Sequence, residues 1–152
     1  MVARYFAYGS NMNVDRMRDR GMNFEATVDG QLHGLELQFH KASRQHAGAG
    51  HANVAYAPGS TVEGVLYTLS NYEEISRLDP FELAPVNYSR EVVQIATAQG
   101  VVSSWIYFAN PAVLQSGLKP PRSYLDHLLA GKPFLSDSYY QMLRSWECLE
   151  EL

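Results

Sequence analysis

The chain reads as an α+β protein with a mixed or antiparallel sheet. Strand patterns come early and helical periodicity late, and the strands are joined by hairpin-like turns instead of regular helical crossovers, which argues against a doubly wound fold. At 152 residues it is one domain, 1–152, large enough to bury a core without disulfides or metal. No linker or internal repeat divides it.

Arg4 to Tyr8 is aromatic and strand-favouring, so it predicts a short buried strand that breaks at Gly9. Gly9 can take positive φ, and Ser10 and Asn11 bond local backbone through short polar side chains, so the strand should run into a loop with several N–H groups facing one way. Asn13 to Arg18 reads as a short helix whose N-terminal dipole would add to that anion-binding character. Ala26 to His40 alternates partially around Gly30 and Gly34, a strand with a bend or bulge. Ser43 to Gly50 is a polar loop. Ala52 to Ala57 is a second short strand ended by the Pro58-Gly59 turn signal, and Val62 to Leu69 is a third.

Ser70-Asn71-Tyr72-Glu73 has the form of a capping box, predicting a helix that buries Tyr72, Ile75 and Leu78 and stops at Pro80. Tyr88 to Thr97 and Val101 to Ala109 are strands joined by the tight turn Ala98-Gln99-Gly100. Beyond Asn110 the prolines mark an irregular crossing, followed by a helix from Ser123 to Leu129 closed by Gly131. A last helix begins near Ser136-Asp137 and buries Tyr139, Met142, Leu143, Trp146 and Leu149.

The formal net charge of −4 leaves no basic field for a phosphate backbone, so nucleic acid is not an expected partner. Arg16, Arg18 and Arg20 alternate with Asp15 and Asp19 and read as a solvated helix face. The single cysteine, Cys148, excludes an internal disulfide and fits a reducing compartment. It sits among helical apolar residues with no sign of a thiolate-stabilising environment. No apolar stretch approaches membrane-spanning length, and the expectation is a cytoplasmic protein. His46 and His51 are close in sequence, but a zinc site needs three or four ligands at recognisable spacings and none follows, so no metal is expected.

Glu82 is the candidate acid/base. With apolar Leu78, Phe81 and Leu83 around it, its carboxylate would lose solvation, and its pKa would rise toward the range a general base needs. A surface glutamate at a helix end is the alternative that composition leaves open. There is no Gly-x-Ser-x-Gly elbow and no convincing Cys-His pair, so the chain supplies no evident nucleophile, and Ser10 lacks both an elbow and a local base.

Tyr5-Phe6-Ala7-Tyr8-Gly9-Ser10-Asn11-Met12 resembles the segment that opens the γ-glutamylcyclotransferase family, and Leu78-Asp79-Pro80-Phe81-Glu82 with Tyr88 and Arg90 resembles that family's later Leu-Asp-x-x-Glu-Gly…Tyr-x-Arg segment. The resemblance covers nearly the whole chain. It implies a barrel-like sheet flanked by helices, Glu82 as catalytic acid/base, and substrate binding by Tyr8, Gly9, Ser10, Asn11, Met12, Tyr88 and Tyr124. The implied reaction converts γ-glutamyl compounds to 5-oxoproline without cofactor or metal. Its partner is a small γ-glutamyl molecule, with no nucleic acid or membrane, and a homodimer is left open. The Tyr-Gly-Ser-Asn-Met form is closest to that of relatives acting on γ-glutamyl amino acids. Leu83 stands where the family has glycine. A silent carboxylate-binding module of the same fold is the alternative, and Glu82 is the residue such a binder would not need.

Overall fold

The computed structural model describes residues 2–150, so residues 1, 151 and 152 of the expected domain lie outside it. Five strands close into a barrel: β1 (Arg4–Ala7), β2 (Phe24–Ala42), β3 (Gly50–Leu69), β4 (Tyr88–Thr97) and β5 (Gly100–Ala109). Their order is β1-β3-β2-β4-β5, with β1 returning to β5. The β1–β5 contact, at Tyr5 and Trp105, is parallel and the other pairings are antiparallel, so the sheet is mixed. Among the described residues no helix is long and apolar enough to cross a membrane.

The barrel closes tightly because two glycines make a slot for one ring. Gly30 of β2 and Gly64 of β3 are cross-strand partners. A Cβ on Gly64 would lie 2.3 Å from the Ala7 carbonyl oxygen, and one on Gly30 would lie 3.2 Å from Phe6 Cε1 and 2.8 Å from Ile95. Phe6, fully buried, fills that slot and fixes the height of β1 in the barrel.

Where two strands separated by a Pro58-Gly59 turn are expected, β3 runs unbroken from Gly50 to Leu69. Both halves keep pairing with β2, so the turn signal produces a bulge: the register jumps from His33↔Thr61 to Leu35↔Tyr56, with Gly34 and Gly59 both at positive φ. The hairpin between β4 and β5 has the expected form, with Thr97 paired to Gly100 at φ +113.

Helix α1 (Val14–Asp19) is capped by Asn13, whose side chain accepts from the Asp15 N–H. Helix α2 (Glu74–Glu82) starts later than the Ser70 box predicts. The Ser70 N–H instead bonds the Asn23 carbonyl, Tyr72 is exposed, and Ile75 and Leu78 alone of the three are buried. Pro80 lies inside α2 near its end, where the helix closes within a few residues. Leu83 turns left-handed at φ 50, ψ 43, and the Ala84 N–H returns to the Asp79 carbonyl.

Helix α3 (Arg122–Leu129) ends at Ala130. Gly131 has φ −78, so its value is space and not a left-handed cap: a Cβ there would sit 3.0 Å from that of Met12. Helix α4 (Asp137–Arg144) is capped by the Ser136 hydroxyl and buries Tyr139 and Leu143. Met142 is partly exposed, and Trp146 and Leu149 lie beyond the helix, Trp146 packing edge-on against Phe39.

Candidate active site

Three elements meet at the end of β1. The strand delivers Tyr5 and Tyr8, a 3-10 turn over Ser10–Met12 follows Gly9, and the C-terminal end of α2 presents Glu82. With Tyr107 of β5 and Tyr124 of α3 they enclose a cavity of about 30 Å³. The Met12 and Asn13 N–H groups bond the Gly9 and Ser10 carbonyls, which leaves those of Ser10 and Asn11 without a partner inside the turn.

Asn11 is the hub. Its Nδ2 lies 3.1 Å from the Tyr5 hydroxyl and 3.2 Å from Glu82 Oε1, its Oδ1 accepts from Arg20 at 3.0 Å, and its backbone carbonyl accepts from the Tyr67 hydroxyl at 2.6 Å. Arg20 also approaches Glu82 Oε1 at 3.8 Å. Both side chains are only 16% exposed, so the reading of a wholly solvated arginine face does not hold for Arg20, whose guanidinium also covers the Phe81 ring.

Burial pushes the Glu82 carboxyl up from its usual value, against opposing pulls from Arg20, Arg16, Lys41 and the Asn11 bond. The predicted direction is right and the predicted surroundings are not. Leu78 belongs to the core below, Phe81 and Leu83 are exposed, and the walls around the carboxylate are the rings of Tyr5, Tyr8, Tyr107 and Tyr124. Burial drives Tyr5 and Tyr8 well above the ordinary phenol value, so both stay protonated donors near neutral pH. The Tyr8 hydroxyl donates to the Tyr107 carbonyl. The Tyr107 hydroxyl donates to Asp79 at 2.5 Å, and Asp79 pairs with Arg90 at 3.4 Å over the Trp105 ring. The Asp79 and Arg90 of the later motif thus buttress a wall of the cavity.

Gly9 has φ −114, not the expected positive value. Its missing side chain makes room instead, since a Cβ would lie 3.2 Å from that of Ala52 and 3.3 Å from the Tyr124 hydroxyl. Met12 does not line the cavity; it is fully buried against Gly131. Tyr88 also lies behind the wall. Its hydroxyl donates to the Ala52 carbonyl at 2.8 Å, while the Ala52 N–H donates to Tyr124 at 3.0 Å, so one residue links the two rings.

Tyr124 separates the small cavity from an open groove of about 710 Å³ lined in part by Arg16, His46, His51 and His127. His51 stacks on Tyr124 at 4.6 Å, and burial with the nearby Lys41 and Arg16 lowers its pKa to about 4. Asn13 and Arg16 hold the two nitrogens of His127. Among the described residues no group of three His, Cys, Asp or Glu side chains is placed to hold a metal. Sequence reasoning passed over Tyr5, Tyr107, Arg20 and Lys41. Tyr5 lay inside the quoted motif but looked like strand filling, and the other three carry no local signal because distant segments bring them in.

This barrel, with a buried carboxylate set against a strand-end turn, is of the γ-glutamyl cyclotransferase class. A structure described as gamma-glutamyl cyclotransferase is similar at TM-score 0.83 and 24% identity, over 99% of this chain and 91% of that one. An uncharacterized protein from Homo sapiens is similar at 0.86 and 25%, over 99% and 91%. A yeast gamma-glutamyl cyclotransferase specific to glutathione shares the fold at 0.67 and 13%, over 93% of each chain. Residues 5–127 match the family model described as gamma-glutamyl cyclotransferase, AIG2-like, and the chain belongs to that family. No curated protein sequence matches it.

Proposed function

We propose that the protein converts γ-glutamyl compounds to 5-oxoproline and releases the attached amine or amino acid, with Glu82 as the single acid/base. The observation that carries this is the placement of Glu82: a carboxylate with a raised pKa, among tyrosine rings, in one cavity with Ser10 and Asn11 of the turn. Such a site suits a substrate that brings its own nucleophile. The α-amine nitrogen attacks the γ-carbonyl carbon, a lactam C–N bond forms, and the bond to the departing nitrogen breaks. Glu82 takes the ammonium proton and returns it to the leaving nitrogen, while the turn N–H groups face the developing oxyanion or hold the α-carboxylate. Holding the curled conformer contributes roughly 7–11 kcal/mol toward the barrier, as for other well-oriented intramolecular reactions.

The test is Glu82→Gln, assayed for 5-oxoproline with a panel of γ-glutamyl dipeptides, γ-glutamylamines and glutathione, the last included because a structural neighbour acts on it. We expect a folded variant that binds substrate and loses at least about 10²–10⁴-fold in turnover, the usual contribution of general acid–base catalysis. Near-normal product formation by that variant would falsify the mechanism. Wild-type protein inert toward the whole panel would point to a carboxylate-binding module.

A further inference from the structure

Lys41, near the end of β2, is only 5% exposed. Its stem is covered by neighbours, but its Nζ is not among the buried side-chain atoms left without a partner, so the ammonium itself keeps contact with solvent. The group sits 5.9 Å from the centre of the Tyr88 ring, and among the described residues it has no hydrogen bond or ion pair. Burial, reinforced by Arg44, lowers its pKa, with Glu82 pulling the other way. Among the described residues no group pairs with it directly, so its positive charge can take an anionic partner.

Its position says which part of a ligand would meet that charge. Lys41 is the cross-strand partner of His51, so the two side chains leave the same face of the ribbon. His51 lines the large groove and stacks on Tyr124, the ring dividing groove from cavity. On the reaction proposed above, the γ-glutamyl head occupies the Glu82 side of that ring, and the departing half emerges toward the groove that His51 lines, where Lys41 is the neighbouring side chain on the same face. We propose that Lys41 is the specificity residue for the leaving group: its ammonium pairs with a carboxylate next to the departing nitrogen, which selects γ-glutamyl amino acids and peptides over γ-glutamylamines. The assignment of the carboxylate to the leaving half rests on the cyclotransferase reading. The presence of an anion subsite at Lys41 does not.

The experiment compares γ-glutamylalanine with its C-terminal carboxamide, in wild type, Lys41→Met and Lys41→Arg. It reads kcat and KM for 5-oxoproline, and calorimetric affinity in the Glu82→Gln background. Wild type should prefer the acid by about tenfold or more, as expected for one charge-assisted hydrogen bond. Lys41→Met should abolish the preference by weakening the acid, mainly through KM, while the amide changes less than about threefold; Lys41→Arg should keep part of it. Equal use of acid and amide by wild type overturns the proposal without any variant. So does an equal loss for both in Lys41→Met, which would place Lys41 on the glutamyl half. If no substrate gives 5-oxoproline but binding still shows the Lys41-dependent preference for the acid, the subsite stands and the reaction does not.

Discussion

Glu82 shows how one side chain can be right in kind and misjudged in setting. Its presence in a motif was legible in the sequence, but its partners were not: Asn11, Arg20 and Tyr107 come from three separate segments, and only the closed barrel brings them together. That setting makes a pH prediction. Burial raises the folded-state pKa of Glu82 above the ordinary carboxyl value, so the fold favours the protonated form. The stability this group contributes is complete below the unfolded value and is lost as pH rises through the folded one. Glu82→Gln removes that loss. In thermal melts from pH 4 to 8, the variant should gain on wild type as pH increases and show no advantage near pH 4. An advantage that shrinks with pH would mean that the Arg20 contact outweighs desolvation. His51 works in the opposite sense, since its lowered pKa withdraws stability as pH falls from 6.5 toward 4. Differencing the two proteins removes that common background.

At the scale of elements, α2 is the instructive case. Its start was misread because Ser70-Asn71-Tyr72-Glu73 is a sound local signal, overruled when the Ser70 N–H pairs with the Asn23 carbonyl. Its end explains the departure from the family pattern, because Leu83 occupies the left-handed closing position that a glycine fills without a Cβ clash. A non-glycine residue there costs about 1–2 kcal/mol, and glycine returns roughly 0.5–1 through the entropy of the unfolded chain. Leu83 is 46% exposed, so little burial is forfeited. Leu83→Gly should therefore raise stability by up to about 1 kcal/mol, read as a higher urea midpoint at unchanged slope. A lower midpoint would show that the Leu83 side chain stabilises the turn by more than its backbone strain costs. The helix ends directly at Glu82, so the same variant also tests how firmly the cap holds the carboxylate.

Across the molecule, the α+β class, the hairpin and most strand positions were written in local patterns of two-residue alternation and Gly/Pro punctuation. Barrel closure was not, because no short stretch encodes the meeting of Tyr5 with Trp105 or the seating of Phe6 between Gly30 and Gly64. The same long-range contacts bear on the order of assembly. The β2–β3 and β4–β5 ribbons join neighbours in sequence and can form early, whereas β1 must find partners at Tyr67 and Trp105. The first strand of the barrel therefore waits longest for its place, and the turn that follows it takes shape only then. Phe6→Leu should speed unfolding and leave the folding rate nearly unchanged, as expected for a contact made after the rate-limiting barrier. A Phe6→Leu variant that folds slowly and unfolds normally would put β1 in the nucleus. If β1 does close last, a partly folded chain can carry most of the barrel and still lack the cavity around Glu82, whose walls at Tyr5, Tyr8 and Ser10 arrive with that strand.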